Sequence, residues 1–208
     1  MRASKTIKDI VYQEIMNGIL SSEYKPNDIL TERELTEKYG YSKSPVREAL
    51  VKLCNEHVLI SHPRYGYEVV RLTDEDVKNI LEFRFILESA LLKKSFDSIG
   101  PNEIAELRRL DVACQNTLKE NMWIHWEANT NFHLALASYS NNIFAQKELD
   151  LSMLTLKRAY AQFYWKHWTT AHPSDDIQYH KMIIQSLEDR DLGQCLVHLK
   201  DDLNDFRF

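Results

Sequence analysis

The stretch Thr31–Leu53, TERELTEKYGYSKSPVREALVKL, decides how the first part of the chain folds. Leu35 and Tyr39, then Val46, Leu50 and Leu53, recur three and four residues apart, the spacing of a buried helical stripe. Two short helices follow. They are separated at Gly40-Tyr41-Ser42, where Gly40 can take the left-handed conformation that ends one helix and Ser42 can cap the free N–H groups of the next. Thr31 and Glu34 make a capping box for the first helix, and Pro45 sits in the first turn of the second, where its missing N–H costs nothing. The pattern predicts a helix-turn-helix whose second helix presents Lys43, Ser44 and Arg47 at its exposed front end. Such residues suit a nucleic-acid duplex. Arginine can pair with guanine through two hydrogen bonds, lysine can reach base acceptors or a phosphate, and N-terminal amides can hold a phosphate. A plain helical hairpin with a solvated charged face is the competing reading.

Working outward, Ile7, Ile10, Val11, Ile15 and Ile19 fall on one side of a helix from about Ser4 to Ser21, placed to pack across the opening motif. Tyr24 to Asp28 holds turn residues. Beyond Leu53, Val58–Ile60 and Tyr67–Val70 carry strand-forming side chains around the turn residues His62–Gly66, a β-hairpin. Three helices and a hairpin make a winged helix-turn-helix. The hairpin tip would place Arg64 against a sugar-phosphate backbone or in a minor groove.

Net charge of −5 over 208 residues speaks against nucleic acid until it is divided. Residues 1–72 hold 11 Lys+Arg against 10 Asp+Glu, and the remainder 15 against 21, so the acidity belongs to the second part. Cys54, Cys114 and Cys195 are odd in number and far apart, which argues for buried thiols and against a disulfide framework. No apolar run is long enough to cross a bilayer and the polar start is unlike a signal peptide, so a cytoplasmic location is expected.

A linker near Leu72-Thr73 divides the chain into expected domains at 1–72 and 73–208. From Asp74 onward the periodicity is helical, with little strand signal. Breaks at Ser98–Asn102, Asn141-Asn142, His172–Ser174 and Glu188–Asp191 separate helices ending near 119, 139, 170, 188 and 206. The fold class is therefore mainly α: a winged helix-turn-helix followed by an all-helical bundle of six or seven helices. Asn129 and His133 share one helical face, and His180 begins a similar face, followed by Ile183, Ile184 and Leu187. These residues can meet as metal ligands or as hydrogen-bonded core groups.

The first 72 residues resemble the N-terminal domain of the GntR family of bacterial transcription regulators. The resemblance rests on Leu30-Thr31-Glu32-Arg33-Glu34-Leu35, on Ser42-Lys43-Ser44-Pro45-Val46-Arg47-Glu48-Ala49-Leu50, and on Gly66 in the wing. It implies that the positions of Arg33, Lys43, Ser44, Arg47 and Gly66 touch DNA. Two departures stand out: position 43 is more often arginine, and His57 replaces a usual glycine.

The remainder resembles the FCD ligand-binding domain of the FadR subfamily. The matching residues are Phe83–Glu88, Asn129-Thr130-Asn131-Phe132-His133 before Asn141-Asn142, and His180–Ile184 before Asp189-Arg190-Asp191. Many FCD domains bind a divalent metal, and the resemblance lays the ligand positions onto Asn129, His133, His180 and Asp202. Asn129 replaces an aspartate and Asp202 a histidine, a set that zinc, nickel or manganese can accept. The same residues can instead bind water or an organic effector directly, and His198, one turn before Asp202, is a second possible nitrogen donor. Arg84 is implied to pair with an effector carboxylate alongside Asn129, His133 and His180; a salt bridge to Glu88 is the alternative. Tyr160, Tyr164 and Trp165 either line the cavity or fill the core.

The expected function is a DNA-binding transcription regulator that works as a homodimer on a double-stranded operator, modulated by a small-molecule effector, a carboxylate, with or without metal. A metal-dependent hydrolase using His133, His180 and Asp202 lacks a nucleophile motif, with no HExxH and no Gly-x-Ser-x-Gly. A sensor acting through protein contacts without DNA is the third reading, and the basic residues Lys43, Arg47 and Arg64 count against it.

Overall fold

Thr6 and Asp9 exchange side-chain-to-backbone hydrogen bonds in a capping box that starts α1 (Ile7–Leu20). The structure, a computed structural model, describes residues 6–164 and 176–204. Val11, Ile15 and Ile19 of α1 are buried as their spacing requires. Helix α2 (Glu32–Tyr39) opens on the expected Thr31–Glu34 box and closes on Gly40 at φ 72°. Helix α3 (Lys43–Asn55) packs on both, with Val46, Ala49, Leu50 and Leu53 buried. Ser42 stands at its N-cap, yet the side chain makes no capping bond, contrary to expectation. Ser42 is exposed, so water can serve the amides it leaves.

The end of α3 is closed by a residue that usually avoids such geometry. His57 takes φ 53°, and the amides of His57 and Val58 donate to the carbonyls of Cys54 and Leu53 at 3.0 and 2.9 Å. This is the turn that a glycine closes at no steric cost, and here an imidazole-bearing residue adopts it. Arg158 Nη1 donates to the His57 carbonyl at 3.0 Å, and burial lowers the Arg158 guanidinium to about 10.

The wing is a hairpin of β2 (Leu59–His62) and β3 (Gly66–Val69), with Leu59 opposite Val69 and His62 opposite Gly66. A two-residue strand, β1 (Ile29–Leu30), pairs with the other edge of β3 to give the order β1-β3-β2. Two residues are too few to show an alternation, so this strand leaves no sequence signal. It also explains Gly66. At φ 138° a β-carbon there would lie 2.7 Å from both the Leu30 carbonyl oxygen and Ile29 Cγ2. Packing alone therefore demands a glycine at 66, a position the resemblance tied to DNA.

The rest is helical: α4 (Asp74–Ser95), a 3-10 turn at Phe96–Ser98, α5 (Pro101–Asn116), α6 (Met122–Ser138), α7 (Ile143–Tyr164), α8 (Asp176–Glu188) and α9 (Leu192–Asn204). Six helices among the described residues match the expected number. Helix α5 stops at Asn116, short of 119, where Thr117 folds back to the Cys114 carbonyl. Trp165 and residues 205–206 of the expected last helix lie outside the described residues.

Two compact units result. The first comprises the winged helix-turn-helix through Thr73 together with the end of α7 from Lys157. Here the Gln162 side chain holds both backbone groups of Leu72, accepting from its N–H at 3.0 Å and donating to its carbonyl at 2.6 Å. Tyr160, expected either to line the effector cavity or to fill the core, falls in this unit. The second unit packs Leu92, Leu107, Phe132, Leu136, Ile183, Leu187, Leu199 and Leu203 from α4, α5, α6, α8 and α9 into one apolar core.

Gly66→Ala is expected to destabilise the first unit by about 1–3 kcal/mol through backbone strain and the clash with β1. Hydrogen exchange of the wing amides in the full chain measures this; unchanged protection would return Gly66 to a purely DNA-contacting role.

Candidate functional site

Helix α3 carries its cations where a duplex can reach them. Lys43, Ser44 and Arg47 are exposed around its first turns, and Arg33 on α2 and Arg64 at the wing tip are exposed as well. Arg64 takes φ 65°, the left-handed turn that reverses the hairpin. Arg47 is held in waiting. Its Nε and Nη2 donate to the two oxygens of Glu32 at 2.7 and 2.9 Å, and this pairing holds the Glu32 carboxyl below its ordinary range. Tyr67 of the wing adds a hydroxyl to the same carboxylate at 3.3 Å. Arg33 pairs with Glu37 at 2.8 Å and Ser44 donates to Glu48 at 3.1 Å. These contacts are solvent-exposed, so they are weak and exchangeable.

The helical unit buries its charges instead. On α4, Arg84 Nε donates to Glu88 Oε1 at 2.8 Å, and both side chains are almost solvent-free. Glu88 Oε2 lies 2.7 Å from His133 Nδ1 on α6, and His133 Nε2 lies 3.0 Å from Asp202 Oδ2 on α9. Burial would raise the Glu88 carboxyl, but the Arg84 guanidinium and His133 outweigh it and bring it to about 2. Burial likewise opposes a charged His133, yet the carboxylates of Glu88 and Asp202 prevail and push it up to about 9. His180 of α8 stacks on Phe132, ring centroids 3.8 Å apart, with Nε2 3.7 Å from Asp202 Oδ1.

His133, His180 and Asp202 offer one donor atom each within 4.8 Å of one another. Zinc bonds of about 2.0–2.2 Å put donors roughly 3–4 Å apart; here His133 Nε2 lies 3.0 Å from Asp202 Oδ2, and His180 Nε2 lies 3.7 Å from Oδ1, the other oxygen of the same carboxylate. Asp202 Oδ1 is buried without a hydrogen-bond partner, and Glu88 takes the far nitrogen of His133, the arrangement that leaves Nε2 for a metal. The donors fit a divalent cation, with the proviso that the ion and a proton compete for His133 Nε2. Asn129 stands half-buried one turn before His133, and His198 is half-buried outside the group of three.

The sequence pairs Glu88 with Arg84 but gives no hint that it also holds His133. Its signal is an acid on the buried stripe of α4 between Arg84 and Leu91, a position where an unpartnered carboxylate is untenable. Glu32 as the partner of Arg47 was likewise unmarked, since the two lie 15 positions apart.

Residues 7–69 match the family described as bacterial regulatory proteins, gntR family, and residues 79–202 match the FCD domain. The chain belongs to the GntR family and carries an FCD domain. It is 27% identical over 135 residues to the HTH-type transcriptional regulator YdhC of Bacillus subtilis, covering 63% of this chain and 59% of that protein. Identity to the regulator McbR of Escherichia coli is 30% over 132 residues, covering 63% and 60%. The chain thus spans about three fifths of the length of either relative. The solved E. coli McbR/YncC structure superposes with a TM-score of 0.78 at 20% identity, over 97% of this chain and 95% of that one, a likeness of fold.

Removing the acid in Glu88→Ala leaves Arg84 and His133 buried beside no counter-charge. The helical unit is expected to lose about 3–5 kcal/mol. Thermal unfolding of the full chain reads this, and an unchanged midpoint would show the pairing to be incidental.

Proposed function

We propose that this chain is a one-component transcription regulator that binds a double-stranded operator as a homodimer through its winged helix-turn-helix. The observation that carries the reading is the exposed basic front of α3, where Lys43 and Arg47 stand clear of the core on a fold whose relatives are regulators. Arg47 is already flattened into a two-bonded geometry against Glu32, the same geometry a guanine edge or a phosphate would take up in exchange. Lys43, Ser44 and Arg33 support the docking helix and Arg64 reaches from the wing, where Gly66 both lets β1 pack and stands beside the duplex.

The helical unit is the sensor in this reading. A small organic acid enters beside Arg84, whose Nη2 is buried without a hydrogen-bond partner once Glu88 has taken Nε. Asn129, His133 and His180 complete the effector site, and zinc, nickel or manganese can be held by His133, His180 and Asp202, with Asn129 as a further oxygen donor. Homodimerisation follows from operator symmetry and has apolar surface available: Phe83 and Ile86, three apart on α4, are 42% and 62% exposed. No helix among the described residues is long and apolar enough to cross a membrane, in keeping with a cytoplasmic regulator.

Arg47→Ala is expected to lower affinity for the cognate operator by about 10–100-fold, the worth of one bidentate base contact. Binding to unrelated duplex should fall much less. Anisotropy titrations on both duplexes measure the difference, and equal affinities of variant and parent for the operator would refute the docking geometry.

A further inference from the structure

Each histidine of the buried cluster faces a carboxylate from both of its nitrogens, within hydrogen-bond distance for His133 and at ion-pair distance only for His180. For His133 they are Glu88 at Nδ1, 2.7 Å, and Asp202 at Nε2, 3.0 Å. For His180 they are Asp111 at Nδ1, 3.9 Å, and the second Asp202 oxygen at Nε2, 3.7 Å. Asp111 comes from α5, where Ile104, Leu107, Asp111 and Cys114 form one buried stripe with an acid in an apolar position. One of its oxygens accepts from Gln115 Nε2 at 2.6 Å. The other is buried with no hydrogen-bond partner, and it is the one that faces His180.

A buried carboxylate oxygen without a donor is costly, and burial raises the Asp111 carboxyl above its ordinary range. Packing does not require it, since an apolar residue would complete the stripe. Lys181 and Arg108 act on Asp111 only through their charge, and neither hydrogen-bonds to it among the described residues. What the free oxygen can serve is the Nδ1–H of a histidine whose other nitrogen is engaged. A ring that donates through Nδ1 must present Nε2 as a lone pair.

We propose that Asp111 is the positioning residue for His180, as Glu88 is for His133, so that the two paired carboxylates aim both Nε2 atoms at the space beside Asp202. The inference rests on the metal-binding reading of His133, His180 and Asp202 and deepens it. The site becomes two histidines and one carboxylate, each histidine backed by its own acid. Phe132 fixes the plane of the His180 ring by stacking, interplanar angle 16°, and Asp111 selects which nitrogen carries the proton. With three protein donors, a bound cation keeps coordination positions for an effector oxygen.

The test is zinc affinity of the full-length chain, measured by competition with a chromophoric chelator, for the parent, Asp111→Asn, Glu88→Gln and His133→Ala. Asp111→Asn and Glu88→Gln should each bind about 10–100-fold more weakly at the same one ion per chain. The second readout is the Nδ1–H resonance of His180 in the zinc-loaded protein. It should be slow to exchange with solvent in the parent and fast in Asp111→Asn, which a purely structural role for Asp111 would not produce. Should Glu88→Gln fail to fold, Asp111→Asn, isosteric and outside the Arg84 pair, decides alone. Affinity within twofold of the parent, or an unaltered His180 resonance, overturns the positioning role. A parent that binds no zinc, or a His133→Ala chain that binds it equally well, overturns the metal reading itself.

Discussion

Arg84, Glu88, His133 and Asp202 are at most 5% exposed, and burial of that much charge is tolerable only when every group is partnered. The partnership sets the architecture of the helical unit. Glu88 must reach from α4 to α6, and His133 from α6 to α9, so three helices that are distant in sequence are tied at one point. Around that point the apolar stripes close, with Leu92, Phe132, Leu136 and Leu199 filling the volume that the charges leave. Well-packed apolar residues in place of a whole buried ionic set are often neutral for stability, whereas loss of one partner is strongly destabilising. Two atoms of the set are the exceptions: Asp202 Oδ1 and Arg84 Nη2 are buried with no hydrogen-bond partner among the described residues.

The first unit treats charge in the opposite way. Arg47 and Glu32 form a two-bonded pair at the surface, where the arginine side chain is 64% exposed and water screens the attraction. Such a pair orders the side chain without trapping it. A duplex that offers a better acceptor can take Arg47 over, while Glu32 remains satisfied in part by Tyr67. One unit thus carries exchangeable surface charge suited to a polyanion, and the other carries locked internal charge suited to a small ligand.

Much of the first unit was legible because its cues are local. The Thr31–Glu34 box, the left-handed Gly40 and the stripe Val46, Leu50, Leu53 each depend on residues within one or two turns, and all three are present. What failed was also local but competitive: Ser42 has the side chain for a cap, and exposure lets water take its place. The strand Ile29–Leu30 is too short for periodicity to mark, and with it went the reason for Gly66. In the helical unit, spacing put His133 and His180 on buried faces and the resemblance added Asp202, and the three converge. Glu88 and Asp111 were out of reach as partners of those histidines, because spacing tells which residues share a face and not which faces meet. An acid on an otherwise apolar stripe is the trace that both of them leave.

In the proposed reading, what binds at the buried cluster alters operator binding by the winged helix-turn-helix. It is tested most directly by titrating a fluorescent duplex, selected by the protein itself from a random pool, with metal-depleted and zinc-saturated full-length chain under one salt condition. The account predicts operator dissociation constants that differ by about fivefold or more, the lower end of ordinary coupling between two sites. Superimposable curves, with zinc shown to be bound, would contradict it.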